Sequence, residues 1–224
     1  MTHGIKIFNL FDLKETIAAD IFIECEYPWE VLPKIKSFIL ELGVTLSQKD
    51  YYHPAEDIWI ARTATVSSSS CICGPCIIGQ YAEIRHCAFI RGSAIIGEYA
   101  IVGNSTELKN VILFNQVQVP HYNYVGDSIL GFKAHMGAGS ITSNVKSDKS
   151  SVNVHVSNKI IKTEMKKVGA MLGDYVEVGC NSVLNPGTII GRNSMVYPIS
   201  SVRGYIPQDS ILKHNNEIVR KDSK

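Results

Sequence analysis

An aliphatic side chain recurs at every sixth position over much of this 224-residue chain, and this period restricts the possible folds more than any other feature. The first run consists of Ile60, Val66, Ile72, Ile78, Ile84, Ile90, Ile96, Val102, Leu108 and Phe114. A mostly small residue, such as Ala82 or Ala88, follows four positions after each aliphatic residue. A period of six does not fit the 3.6-residue turn of an α-helix. Short strands joined by tight turns can produce it, because each strand directs one aliphatic side chain inward.

A second run with the same period follows in a different phase. It consists of Leu130, Met136 and Thr142, then Leu172, Val178, Leu184, Ile190, Val196 and Val202. Stacked turns bury a continuous aliphatic column that one repeat could not bury alone. The sequence therefore predicts an all-β fold in which residues 58–205 form a parallel β-helix. The alternative is a β-sandwich with regular strands, but sandwich repeats are longer and less regular.

The segments outside the repeats have a different character. Within residues 1–57, LFDLKETIAAD and PWEVLPKIKSFILELG have apolar positions near helical spacing, and DIFIECEY is a candidate strand. We expect a small N-terminal α/β appendage there. Residues 145–169 interrupt the second run and alternate enough (VNVHV, then NKIIKTEM) to predict an inserted β-hairpin. Residues 206–224 are expected to form a C-terminal tail.

Composition argues against several classes of protein. The formal net charge is +1, and Lys and Arg form no dominant basic block, so we expect no nucleic-acid partner. No apolar run reaches membrane-spanning length, and the first residues, MTHGIKIFNLFDLKET, lack the layout of a signal peptide. We therefore expect a cytoplasmic protein with no membrane contact.

The CICGPC stretch suggests a metal site, with His86 and Cys87 further along the chain. However, Cys76 takes a small-residue position of the repeat, and Cys71 and Cys73 flank an aliphatic position. The spacing also differs from the paired C-x-x-C arrangement of a closed zinc site. We expect no metal, and small buried side chains are the simpler explanation.

The two runs are joined by residues 114–127, FNQVQVPHYNYVGD, across which the repeat shifts by four residues. Pro120 has no backbone N–H with which to continue a strand ladder. We therefore predict a bulged loop that holds His121 over a groove. An imidazole with a pKa near 6.5 is mostly neutral at pH 7 and can accept a proton. Alternatively, His121 simply caps a surface bulge.

The repeats resemble a known family when they are combined with VGNSTELKN, VPHYNYVGD, HMGAGSITSN and VEVGCNSVLNPGTIIG. Residues 60–205 resemble the left-handed β-helix acyltransferases of the hexapeptide-repeat family. Most similar is the acetyltransferase domain of the bifunctional bacterial enzyme that acetylates glucosamine-1-phosphate and then uridylylates it. The chain looks like a short stand-alone form related to UDP-N-acetylglucosamine pyrophosphorylase. This resemblance implies a homotrimer, with acetyl-CoA as co-substrate between neighbouring subunits.

The resemblance also implies roles for individual residues. His121 falls on the general base that takes a proton from the sugar amine. Arg91, Lys109 and Tyr124 fall where the family contacts the sugar phosphate, and Asn144 falls on an asparagine of the sugar pocket.

Ala138 matches a backbone position near the acetyl group and the coenzyme. Two residues depart from the family. His135 replaces an asparagine that contacts the sugar, and Cys180 replaces a serine beside the thioester carbonyl. The long 145–169 segment is a further departure, and it leaves the identity of the substrate open.

Structural explanations exist for three of these residues. Arg91 and Lys109 would face solvent at the corners of any β-helix. Tyr124 also falls at an inward position of the repeat, so its ring equally fits a place in the core.

Three functions therefore remain open. The first is acyl-CoA-dependent transfer to an amino-sugar phosphate or nucleotide sugar. The second is nucleotidyl transfer to a sugar phosphate, but that chemistry uses a separate Rossmann-like domain for which residues 1–57 have no room. The third is a non-catalytic β-helix that binds a nucleotide sugar or a protein partner.

Overall fold

The computed structural model of the chain describes residues 3–215 and 217–221. Short parallel strands stack on each other coil after coil, so that Ile60 lies opposite Ile78 and Ile78 opposite Ile96. Each of these coils has 18 residues and contains three six-residue repeats. The chain is a left-handed parallel β-helix, which confirms the predicted fold.

Each coil contributes a strand to each of three faces. Face 1 contains Ile58–Ala61, Cys76–Ile78, Ala94–Ile96, Ala170–Leu172, Thr188–Ile190 and Tyr205–Ile206. Face 2 contains Thr65–Val66, Glu83–Ile84, Ile101–Asn104, Gln118–His121, His135–Met136, Glu177–Val178, Met195–Val196 and Ser210–Leu212. Face 3 contains Cys71–Ile72, Phe89–Ile90, Ile141–Thr142, Val183–Leu184 and Ser201–Val202. Most aliphatic residues of the repeat are buried between the faces and form the core, while Val66 and Ile72 are partly buried and pack against it.

Two longer strands, Glu107–Leu113 and Tyr124–Leu130, run from face 3 into face 1 without interruption. Their first residues pair with face 3, since Leu108 lies opposite Ile90. Their last residues pair with face 1, since Leu113 lies opposite Ile96. These two strands, which belong to successive coils, join the two faces into one sheet.

The shift in the repeat lies in these strands, and the predicted bulge at Pro120 and His121 is wrong. Leu113, one residue before Phe114, takes the inward position opposite Ile96, so this coil is one residue short. Leu130 lies opposite Leu113, and the next coil is also one residue short. Gln118–His121, by contrast, pairs in regular register with Ile101–Asn104, because each shortened corner lies between faces 3 and 1.

Face 1 is buried on both sides. Its strands carry a second apolar residue between the repeat positions, and these side chains are Ile77, Ile95, Ile112, Ile129, Met171 and Ile189, each fully buried. Neighbouring residues of a strand point to opposite sides of the sheet. The outer side of face 1 therefore needs an apolar cover.

The N-terminal segment supplies that cover. Its 3₁₀ helices are His3–Ile5, Leu13–Glu15, Ala19–Phe22 and Pro28–Lys34, and its α-helices are Ile7–Leu10 and Ile35–Gly43. The second α-helix packs on the face 1 strands, and the Phe11 and Phe22 rings contact the Phe114 ring. The candidate strand in residues 20–27 is absent from the described residues, where a 3₁₀ helix begins this stretch. Tyr51–Ala55 is a strand and pairs antiparallel with Ile58–Ala61.

An antiparallel hairpin, Asn153–Val156 with Lys159–Lys162, lies inside the segment 145–169. Beyond residue 205, Ser210–Leu212 continues the stack on face 2 and pairs antiparallel with Ile218–Arg220. Among the residues described, no helix combines the length and the apolar character needed to cross a lipid bilayer.

Candidate functional site

His121 ends a face 2 strand at the corner between faces 2 and 3, and its side chain is exposed. Its backbone N–H donates to the Asn123 side chain, 3.1 Å away, and its carbonyl accepts from the N–H of Gly139 at 3.0 Å. Within residues 3–215 and 217–221, the imidazole itself makes no hydrogen bond or ion pair. The ring nitrogens are therefore available to a ligand.

The residues predicted to serve base and coenzyme stack in one column at this corner. Gly139 donates to the carbonyl of His121, and in the next coil Asn181 donates to the carbonyl of Ala138 at 2.9 Å. Ile199 continues the pattern by donating to the carbonyl of Cys180 at 2.8 Å. Adjacent strands lie about 4.8 Å apart. Successive coils thus bring His121, Ala138 and Cys180 together, although 59 positions separate the first from the last in the sequence.

A buried amide holds this corner in place. Asn123 is only 2% exposed, and its side-chain N–H groups donate to the carbonyls of Gly137 and Ser140, at 2.9 and 3.0 Å. Its side-chain oxygen accepts from the backbone N–H of His121. One side chain therefore connects the His121 coil to the coil of Ala138, which fixes the backbone beside the imidazole.

A second group of polar side chains surrounds Asp127 at the corner between faces 3 and 1. The Asp127 carboxylate accepts from Lys109 Nζ at 3.2 and 3.3 Å and from Asn110 Nδ2 at 2.9 Å. Asn144 Nδ2 donates to the same carboxylate and lies 3.3 Å from the Tyr124 hydroxyl oxygen. Asp127 is nearly buried, whereas Lys109 keeps a partly exposed ammonium group.

Tyr124 lies on the outside of face 3, because its neighbour Val125 takes the buried inward position. The ring is half-buried. Burial, and secondarily the negative charge of Asp127, raises the pKa of the Tyr124 phenol. The hydroxyl group therefore stays protonated near neutral pH and can donate a hydrogen bond.

Arg91 stands one coil before Lys109 at the same corner, since its N–H donates to the carbonyl of Leu108 at 2.8 Å. Its guanidinium forms an exposed ion pair with Glu107, 2.6 Å away, and lies over the Phe89 ring. Arg91 and Lys109 thus place two cationic groups on one corner, each held by a carboxylate.

His135 belongs to a different surface. Its Nδ1 lies 2.8 Å from a Glu177 carboxylate oxygen on the next coil of face 2. Both residues line a mostly apolar groove of about 390 Å³ that also contains Cys180, Met195 and Tyr197. Cys180 therefore belongs both to the corner column of His121 and to the edge of the His135 groove.

The structure thus groups the predicted residues into two clusters and one groove. His121, Ala138 and Cys180 form the corner column, while Arg91, Lys109, Tyr124 and Asn144 surround the opposite edge of face 3. His135 lies in the groove on face 2.

Sequence reasoning did not single out Asp127, Asn123 or Glu177. A carboxylate at the end of the VPHYNYVGD block was the only signal for Asp127. Across the described part of the chain, no three His, Cys, Asp or Glu side chains come together in a group that could hold a metal ion.

The family described as "GMPPB C-terminal domain" matches residues 72–189, which is more than half of the chain. The chain belongs to this family. The matched region covers every residue of the corner column and of the Asp127 cluster. Together with the relatives below, it identifies a GlmU-related protein of the hexapeptide-repeat, acetyltransferase-like type.

Curated relatives include the "Bifunctional protein GlmU" of two Methanococcus maripaludis strains. The C5 protein is 36% identical over 132 residues, covering 59% of this chain and 32% of the relative. The S2 protein is 31% identical over 195 residues, covering 86% of this chain and 47% of the relative. The "Bifunctional sugar-1-phosphate nucleotidylyltransferase/acetyltransferase" of Sulfurisphaera tokodaii is 35% identical over 97 residues, covering 43% of this chain and 24% of the relative. The chain thus spans less than half the length of each.

Similar solved structures include the polySia-specific acetyltransferase NeuO. It has a TM-score of 0.45 at 14% identity, and the match covers 75% of this chain and 88% of that one. Another is a mutant form of AntD, an N-acyltransferase from Bacillus cereus solved with dTDP and coenzyme A. It has a TM-score of 0.36 at 18% identity, with 74% and 81% covered. Likenesses at this level concern the fold and carry no argument about the chemistry.

Proposed function

We propose that this chain is an acyl-CoA-dependent acyltransferase that uses acetyl-CoA to modify an amino-sugar phosphate or a nucleotide sugar. His121 would be the general base. The observation that supports this most directly is the exposed imidazole of His121, which has no partner in the described residues. It stands in the corner column beside Ala138 and Cys180, the positions proposed for the acetyl group and the coenzyme.

In the proposed reaction, the amine nitrogen of the sugar attacks the thioester carbonyl carbon of the acyl-CoA. A C–N bond forms, and the amine proton passes to His121. The C–S bond then breaks, and coenzyme A leaves as the thiol after it receives a proton. A positioned base of this kind contributes roughly a hundred- to ten-thousandfold to the rate. The backbone N–H of Ala138 would stabilise the developing oxyanion, because those of Gly137 and Gly139 already donate to the carbonyls of Val178 and His121.

The Asp127 cluster would bind the phosphate of the acceptor. Lys109 and Arg91 supply positive charge, and a guanidinium can bind two phosphate oxygens at once. Both cations are now paired with carboxylates, so phosphate would replace part of each contact. The protonated hydroxyl of Tyr124 and the amide of Asn144 would contribute hydrogen bonds. We propose that His135, at the edge of the groove, contacts the sugar.

Assembly and location belong to the same proposal. A homotrimer would place the groove at face 2 between two subunits, where acetyl-CoA would lie against Ala138 and Cys180. The cytoplasmic location also stays a prediction, and so does the absence of a metal from the acyl transfer.

An assay of thiol release tests this proposal. The purified protein is incubated with acetyl-CoA and a panel of amino-sugar phosphates and nucleotide amino sugars. We expect turnover with at least one acceptor, and His121→Ala should lower kcat by a factor of about 100 or more, because the amine loses its base. His86→Ala is a matched control, since His86 stands in the same corner column two coils earlier and is also exposed.

The control should retain kcat within about twofold, and size-exclusion chromatography should give the same assembly for all three proteins. Equal activity in His121→Ala and the wild-type protein would exclude His121 as the base. Absence of turnover with every acceptor would reject acyl transfer to this substrate class.

A further inference from the structure

The segment 145–169 is strongly basic. Its basic residues are Lys146, Lys149, Lys159, Lys162, Lys166 and Lys167, and its acidic residues are Asp148 and Glu164. The segment therefore has a formal charge of about +4, although the whole chain has only +1. Such a concentration of one sign of charge within a short segment attracts anions.

The hairpin within this segment is fixed against the β-helix by packing. Val152, Val154 and Val156 are almost fully buried. Val152 also donates to the carbonyl of Met165 at 2.7 Å. Gly204, with φ +77°, allows the hairpin to approach closely, because a Cβ there would lie 2.9 Å from the His155 carbonyl oxygen. The basic segment is thus held in one position over the last coils.

A cavity of about 300 Å³ lies between the hairpin and the β-helix. Its charged and titratable lining consists of Lys146, Asp148, His155 and Arg203. Asp148 is already engaged, because it pairs with Lys146 at 3.4 Å and accepts from the N–H and hydroxyl of Ser150. In the part of the chain that the structure describes, the Arg203 guanidinium and the His155 imidazole have no hydrogen-bond or ionic partner. The cavity therefore offers unused donors.

The cavity continues a corner that is already cationic. Ser143 donates to the carbonyl of Leu184 at 2.8 Å, and in the next coil Asn185 donates to that of Val202 at 2.9 Å. This register places Ser143, Asn185 and Arg203 in successive coils of the corner that carries Arg91 and Lys109. Arg203 thus lies two coils beyond Asn144 of the cluster proposed for the sugar phosphate, and the cavity adjoins that cluster through Ser143 and Val145.

We propose that this cavity, termed the hairpin pocket, binds a phosphate group of a nucleotide. The guanidinium of Arg203 would bind two phosphate oxygens, and Lys146 would add a second charge at the rim. Asn153 and Asn185 provide amide groups for the attached sugar. In a reaction of the proposed type, two ligands carry such a phosphate group. One is the nucleotide of a nucleotide sugar, and the other is the 3′-phosphorylated ADP portion of coenzyme A. Binding to the hairpin pocket does not require acyl transfer, so it stands or falls separately from the proposed function.

Isothermal titration calorimetry on the 224-residue chain tests the pocket. The probes are UDP, adenosine 3′,5′-bisphosphate and inorganic phosphate, each at low and high salt. We expect at least one nucleotide to bind with 1:1 stoichiometry per chain, and Arg203→Gln to raise its Kd at least tenfold. Lys159→Gln is the matched control, because it removes one charge from the same segment at an exposed position outside the cavity lining. It should change Kd less than twofold.

The nucleotide that binds identifies the source of the phosphate. His121→Ala should bind as the wild-type protein does, which separates this site from the catalytic proposal. Equal weakening by Arg203→Gln and Lys159→Gln would show only diffuse attraction to the charged segment and would overturn the proposal. It would also be overturned if neither nucleotide bound. Thermal unfolding of each variant checks that a change in Kd does not come from loss of the fold.

Discussion

At the scale of single residues, Asp127 organises the polar cluster on face 3. The residue is 4% exposed, and its carboxylate accepts hydrogen bonds from Lys109, Asn110 and Asn144. A buried carboxylate is costly unless such donors surround it. The same residue therefore positions the side chains proposed to bind phosphate and contributes to stability.

Removal of this carboxylate should be strongly destabilising. In Asp127→Ala, the three donors lose a common acceptor at a largely buried corner. We expect the free energy of unfolding to fall by about 2–4 kcal/mol. Urea unfolding followed by circular dichroism, at one fixed protein concentration, measures the difference.

Glu83→Ala provides the comparison, because Glu83 pairs with Arg85 at 2.9 Å and both side chains are partly exposed, at 47% and 36%. Exposed pairs contribute about 0–1 kcal/mol. If the two substitutions cost the same, Asp127 does not have the structural role assigned to it.

At the scale of elements, the two strands that cross from face 3 into face 1 set the position of the site. Each crosses its corner with one residue fewer than a regular coil, at Asn110 and at Asp127, where φ is +54° and +47°. The shortened corners bring Lys109 and Asp127 into the contact described above. His121 owes its exposure to an ordinary corner, so the imidazole needs no bulge to be accessible.

The hairpin Asn153–Val156 with Lys159–Lys162 requires a glycine at position 204, where it approaches the β-helix closely. Gly204→Ala tests this requirement. Alanine at φ +77° is strained, and its Cβ would also lie too close to the His155 carbonyl. We expect the hairpin to be pushed away from the last coils. Hydrogen exchange measured by mass spectrometry should show the amides of residues 152–165 exchanging at least tenfold faster.

Ser157→Ala is a suitable control for this variant. Ser157 lies at the exposed hairpin turn and is itself at φ +51°, so alanine keeps the backbone and removes no packing contact of the hairpin. Unchanged exchange in Gly204→Ala would mean that the hairpin does not depend on close contact with Gly204.

At the scale of the whole molecule, the N-terminal segment and the β-helix share one hydrophobic core. The Phe11, Phe22 and Phe114 rings lie with centroids 5.2–6.1 Å apart. Asp174, 2% exposed, accepts from the Asp12 N–H at 2.8 Å and from the Phe132 N–H at 2.9 Å. The segment therefore covers the outer side of face 1 through both apolar and polar contacts.

Phe22→Ala should consequently destabilise the β-helix as well as the N-terminal segment. Phe22 is 2% exposed, and truncation of a buried phenylalanine costs about 3–5 kcal/mol. A single transition by both circular dichroism and intrinsic fluorescence, at a lower urea midpoint, is the expected result. The neighbouring Ile23→Ala, at a position 75% exposed, should leave the midpoint nearly unchanged. Two separate transitions in Phe22→Ala would show that the segment and the β-helix unfold independently.

The sequence alone determined the β-helix, because a six-residue aliphatic period has few other solutions. It also indicated the inserted hairpin by its alternation and the candidate residues by their motifs. Face 1 strands carry two adjacent apolar residues, such as Ile77 with Ile78 and Ile95 with Ile96. These pairs indicate that both sides of the face are buried. That signal is present in the sequence, although the six-residue period alone predicts only one buried side.

Only the tertiary structure decided where the repeat shifts and which side chains meet. Two coils are each one residue short, at Asn110 and at Asp127. In the sequence they look like a single break near Pro120, because the change in phase between the two runs gives only the total shift and not where each part of it lies. Contacts such as those of Asp127 with Asn144, or of Arg203 with the cavity under the hairpin, depend on which residues stack in neighbouring coils. The six-residue period does not give that register across the two shortened coils or across the inserted segment, where only the pairing between coils shows it.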